Sequence, residues 1–156
     1  MAWTWVLVAG TTTLNLNDGT LFRVNVGGFH APPPRRLTSY SGGNIMRHGA
    51  DLIEASWGNR TVVMDLSVRG TNAAALGSNI GSLWDMMRKA EEWSKDSLGT
   101  QVQLRYQMEG QTGTYLFDII EGSLDPGADL HGPYLLKGTR AQHAILTLEC
   151  KPFVTQ

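Results

Sequence analysis

The chain has 156 residues, 42% apolar and 17% charged, with a formal net charge of −1. That length suits one domain, residues 1–156, with a substantial core. The near-neutral balance excludes a protein-wide field drawing the molecule to nucleic acid, and the single cysteine, Cys150, excludes an intramolecular disulfide.

Residues 3–9 are apolar and read as a first strand. They are too few to span a bilayer and lack a basic leader, so a soluble, unsecreted protein without a membrane partner is expected. Residues 14–17 and 20–26 flank Asp18-Gly19, a strong two-residue hairpin signal, and Gly27-Gly28 closes the second strand. Pro32, Pro33 and Pro34 cannot donate ladder hydrogen bonds, so residues 32–49 read as one long loop or hairpin arm. Residues 51–57 and 60–69 form a second hairpin around Gly58-Asn59. In its second half Val62, Met64, Leu66 and Val68 alternate with Val63, Asp65, Ser67 and Arg69, giving one apolar face. The sequon Asn59-Arg60-Thr61 reads as part of that turn.

Residues 71–78 read as a connection, with Ser78 as N-cap of a helix over residues 79–95. Leu76, Ile80, Leu83, Met87 and Ala90 fall at spacings of three and four, and Trp84 widens this stripe toward the core. Gly77 and Gly81 are expected to let the helix sit close to the sheet. Lys95 suits the helix C-terminus and Gly99 supplies a stop. Residues 102–108 then pair with 114–120, residues 125–132 form a polar loop, and 134–136 a short strand. Residues 142–150 close the sheet with Ala144, Leu146, Leu148 and Cys150 inward, before Pro152 stops it. The fold class is therefore mainly β (α+β): two packed antiparallel sheets, sandwich- or barrel-like, flanked by one helix.

Chemistry is sparse. His30, His48, His131 and His143 show no metal-ligand spacing, and there is no nucleophile elbow or phosphate loop. Glu91 and Glu92 are adjacent on a helix and do not face each other. Cys150, in phase with Leu146 and Leu148, reads as a buried small hydrophobe. No cofactor or metal is implied. Five tryptophans point instead to contact with other molecules, and residues 32–36 with Arg47 and His48 are the one place to look for a local basic patch. Tryptophan, tyrosine and arginine are enriched at interfaces, which makes Trp3, Trp5, Arg35, Arg36, Tyr40, Arg47 and Trp93 candidate assembly contacts.

The order of elements is similar to one known family. A first hairpin and a Gly-rich excursion precede Val62-x-Met64-x-Leu66-x-Val68-x-Gly70, and a single helix carries Ile80-x-x-Leu83-Trp84. A hairpin, the segment Phe117-Asp118-Ile119-Ile120-Glu121-Gly122-Ser123-Leu124 and a final Ile145-x-x-Leu148-x-Cys150-x-Pro152-Phe153 strand complete it. Over residues 14–153 this resembles the N-terminal domain of distal tail proteins of long-tailed bacteriophages, which share a fold with tail tube proteins. The resemblance implies a non-enzymatic virion protein, made in the host cytoplasm, forming a homo-oligomeric and typically hexameric ring at the tail tip. Its implied partners are copies of itself, the tube, the tip or hub, and the tape measure protein. DNA would pass through the lumen without sequence-specific recognition. Many members carry a second, C-terminal domain; with this sequence ending at Gln156, none is expected, which weakens a host-binding role and keeps a tube or tail completion subunit open. A small carbohydrate- or peptide-binding module, with Trp and Tyr lining a groove, is the reading from another class. An enzyme would need His30, His48 or His131 to converge with a carboxylate.

Overall fold

The computed structural model describes residues 3–40, 52–126, 134–136 and 139–155. In chain order the elements are β1 (Thr4–Ala9), β2 (Thr12–Asn15), β3 (Phe22–His30), β4 (Arg36–Tyr40), β5 (Leu52–Trp57), β6 (Arg60–Gly70), α1 (Ala73–Asp96), β7 (Val102–Gln107), β8 (Tyr115–Pro126), β9 (Tyr134–Leu136) and β10 (Thr139–Cys150). The large sheet is antiparallel, ordered β2-β1-β7-β8-β10-β6-β3, with β9 also paired to β10. Strands β4 and β5 form a separate two-stranded ribbon.

The alternating runs behave as their period dictates. Val62, Met64, Leu66 and Val68 of β6, Val102 and Leu104 of β7, and Ala144, Leu146, Leu148 and Cys150 of β10 are all fully buried. β8 couples the two halves of the sheet. Its first residues, Tyr115 to Asp118, pair with β7, and from Ile119 to Pro126 it pairs with β10. The register shift at Glu149/Cys150 lies where β8 changes partners. Bulges of this kind let a strand turn a corner between sheets.

The sheet folds over on itself. β3 lies four strands from β7 along the path. At about 4.8 Å per strand a flat sheet would hold them roughly 19 Å apart. Yet the Phe29 and Tyr106 rings are 4.9 Å apart, centroid to centroid. Two layers therefore face each other across one continuous core, the sandwich expected from the sequence.

α1 packs on β8 and β6. Leu76, Leu83, Met87 and Ala90 are buried as the spacing predicts, joined by Met86. Three details correct the expectation. The helix begins six residues earlier than residue 79, because Ala73-Ala74-Ala75-Leu76 are strong helix formers. Its N-cap is Asn72, not Ser78: Asn72 Oδ1 accepts the Ala75 N–H at 2.8 Å. Trp84 is not core but 46% exposed: of the two residues flanking the stripe, Met86 is buried and Trp84 is not. At the other end Ser97, in the left-handed region at φ 53°, forms the C-cap ahead of Gly99.

The close approaches of helix to sheet lie elsewhere than expected. A Cβ on Gly77 or Gly81 would meet nothing within 4 Å. A Cβ on Gly70 would lie 2.3 Å from the Leu76 backbone nitrogen, and one on Gly122 would lie 2.1 Å from Met87 Sδ. The glycines that admit the helix are therefore on the strands beneath it.

Strand pairing brings further corrections. β2 pairs with β1 through a turn at Gly10 (φ 59°), whereas β2 and β3 sit at opposite ends of the sheet path. Asp18-Gly19 therefore turns the chain from one end to the other and makes no hairpin ladder. The Asp18 carboxylate accepts the N–H groups of Thr20, Leu21 and Phe22 at 2.8, 2.8 and 3.0 Å. Partial burial pushes its carboxyl up, but these backbone donors outweigh that and leave it below the ordinary aspartate range. β5 pairs with β4 rather than β6, because the chain crosses at Gly58, whose N–H donates to the Arg35 carbonyl at 2.8 Å. The expected arm over residues 32–49 is in part this ribbon, and residues 41–49 lie outside those described. β3 does not stop at Gly27-Gly28 but runs to His30, and β8 and β10 extend beyond the expected 114–120 and 142–150.

Replacing Gly70 with Ala is expected to cost about 2 kcal/mol or more in urea unfolding, because backbone must move to admit the methyl. Gly77→Ala, in open space on the helix, is expected to stabilise by about 0.5–1 kcal/mol. Equal effects from the two would contradict the packing described.

Candidate functional site

A cleft of about 760 Å³ is lined by Trp3 just before β1, Trp5 within it, Asn17, residues 23–27 and Phe29 of β3, and Glu109. Its aromatic wall follows from period 2. Trp3 and Trp5 project from the same face, and their rings stack 6.1 Å apart at 15°. Trp5 pairs across to Tyr106, and the rings are 5.6 Å apart. Tyr106 in turn pairs with Tyr115, the rings 6.1 Å apart. Phe29 closes the cluster from the opposite layer, 5.7 Å from Trp5. Trp5 is 8% exposed and Trp3 43%, so Trp3 carries the accessible ring. Burial, then the neighbouring Tyr115, raise the Tyr106 phenol above its ordinary value, so it stays neutral.

The opposite wall is a bulge in β3. Val24 faces Leu66 and Phe29 faces Met64, so five steps of β3 match two of β6. Gly27 takes φ 74°, and the tip residue Val26 is 99% exposed. Gly28 is pressed against Asp65: a Cβ there would lie 2.8 Å from the Asp65 Cβ and 2.9 Å from the Asp65 carbonyl oxygen. Side chains beneath hold the bulge. Asn25 Nδ2 donates to Asp65 Oδ1 at 2.7 Å, and Ser67 Oγ donates to Asn25 Oδ1 at 2.8 Å. The His143 imidazole also bonds the Asp65 carboxylate. Serine, histidine and aspartate thus meet on one sheet face, but the Ser67 hydroxyl is committed to an amide oxygen, so the set braces the bulge rather than activating a nucleophile. Asn17 joins the two walls: its Nδ2 donates to the Trp3 carbonyl at 3.0 Å, and its Oδ1 accepts the Val24 N–H at 3.4 Å.

The second prominent feature is the β4–β5 ribbon. Leu37 and Trp57 are 46% and 49% exposed on it, and Trp57 meets Phe153, itself 63% exposed, edge to face at 6.3 Å. Arg35 and Arg36 are exposed at its base, with Arg36 opposite Trp57 in the ladder.

The structure thus brings together Trp3 and Trp5, and separately Arg35 and Arg36. Tyr40 ends β4 opposite Leu52, and Arg47 lies outside the described residues. Trp93 is half-buried near the end of α1, where its carbonyl accepts the Ser97 N–H. Phe29, Val26, Arg23 and Glu109 escaped sequence reasoning. The pairing of Trp3 and Trp5 is visible in their spacing, but what faces them depends on the fold. Of the candidate histidines, His30 is exposed, and His48 and His131 lie outside the described residues. Among the described residues no group of three or more His, Cys, Asp or Glu is placed to hold a metal ion, and no helix is long and apolar enough to cross a membrane.

No protein-family model matches the chain, and no curated protein matches it.

Cys150 is fully buried at the end of β10. Burial, with Glu149 nearby, pushes its thiol up to about 12. Thiol reagents at pH 8 are expected to modify it at least about a hundredfold more slowly in the native protein than in urea. Fast labelling of the native state would contradict its placement.

Proposed function

We propose that the chain is a structural subunit of a bacteriophage tail that assembles into a hexameric ring at the distal tip, joining the tail tube to the tip apparatus. One observation carries the reading: the β4–β5 ribbon stands outside the main sheet with Leu37 and Trp57 exposed. An isolated two-stranded ribbon is marginal in water, and exposed apolar side chains on it are completed by another molecule. A contact between this ribbon and a different surface of the next copy is heterologous, and a heterologous contact that closes makes a ring. The mainly β, helix-flanked architecture is the one the resemblance to distal tail and tube proteins leads one to expect. The other parties are then the tube, the tip or hub and the tape measure protein, the place is the virion, and no catalysis is involved.

A tail tube or completion subunit has the same physical basis and differs in copy number, many per particle for a tube and one ring for a tip. The double variant Leu37→Glu, Trp57→Glu is expected to keep its far-UV circular dichroism and to lose the rings seen by light scattering and negative-stain microscopy. Wild-type protein that stays monomeric at every concentration, or a variant that assembles normally, would overturn the reading.

A further inference from the structure

We propose that the cleft between the start of β1 and the β3 bulge binds a neutral oligosaccharide. Its volume, about 760 Å³, lies within the ~300–1,000 Å³ typical of small-ligand sites. Its lining combines accessible aromatic surface with a few polar ends. Trp3 leaves a large part of its indole open, with Trp5 and Phe29 behind it. A pyranose ring has one face of C–H bonds that packs on an indole, and a rim of hydroxyls that accept paired hydrogen bonds from a guanidinium or donate them to a carboxylate. Arg23 and Glu109 supply one of each in the lining. Their charges oppose, so nothing in the lining favours a phosphate or an acidic polymer.

Two other polar side chains here serve the walls. Asn17 ties the Trp3 carbonyl to Val24, and Asn25 bridges Asp65 and Ser67. They hold the shape of the cleft before any ligand arrives, which lowers the ordering cost of binding. The Trp5 indole N–H is buried and has no acceptor among the described residues. That donor lies beneath the accessible surface, so Trp5 offers a ligand ring surface and no hydrogen bond. An extended peptide is disfavoured, because adding a strand needs a regular edge and the bulge interrupts β3 at this point.

The proposal is independent of ring formation and its test keeps the two apart. The whole chain is screened on an array of neutral and acidic glycans. Hits are titrated by tryptophan fluorescence and calorimetry, below and above the concentration at which it assembles. At least one neutral oligosaccharide is expected to bind and perturb tryptophan emission. Trp3→Ala is expected to weaken it roughly tenfold, and Arg23→Met several-fold, with circular dichroism unchanged in both and assembled mass unchanged in Arg23→Met. Absence of any neutral-glycan binding in both states, selection of acidic glycans alone, or binding undiminished in both variants would overturn the proposal.

Discussion

The structure depends on the meeting of Phe29 with Tyr106 and Trp5 across the two layers. Those residues belong to strands at distant places in a single hydrogen-bonded path, and only a sheet that doubles back brings their rings together. β8 makes this possible by pairing first with β7 and then with β10. Once the layers face each other, the alternate residues of β6, β7 and β10 share one interior, and α1 covers it across Gly70 and Gly122. The same closure places Trp3 at the rim of a cleft, because the ring cluster fills the interior up to Trp5 and stops there.

Two departures from regular geometry are then intelligible. The β3 bulge stretches the strand around the mouth of the cleft and is held from below by Asn25, Asp65, Ser67 and His143. The β4–β5 ribbon leaves the body between β3 and β6 and keeps only its own ladder. Strained or partly unsupported elements concentrate where proteins meet other molecules. The described residues thus carry one ribbon outside the main sheet and one shaped cleft. Buried and protonated, Cys150 adds to the interior rather than to reactivity.

Much of the body was legible in the sequence. The period-2 runs of β6, β7 and β10 and the stripe Leu76, Leu83, Met87, Ala90 specify their faces wherever they pair, because side-chain direction follows from backbone period alone. Partner choice was less legible. Asp18-Gly19 carries a hairpin signal, yet the carboxylate bonds three successive amides and sends the chain across the molecule. The Gly10 turn, which does form a hairpin, joins segments with weaker alternation. Trp84 failed as a core residue because a stripe about 100° wide leaves one side of Leu83 in water, and hydrophobicity alone does not tell which. For the cleft, Trp3 and Trp5 were found by type and spacing, while Phe29, Arg23 and Glu109 join them only through the fold.

The doubling of the sheet is tested most directly by a double-mutant cycle on Phe29→Ala and Tyr106→Ala, followed by urea unfolding. A coupling energy of about 1 kcal/mol is expected for rings in contact across the layers. Strictly additive losses, with no coupling between the two positions, would mean that β3 and β7 do not face each other and would contradict the closed sandwich.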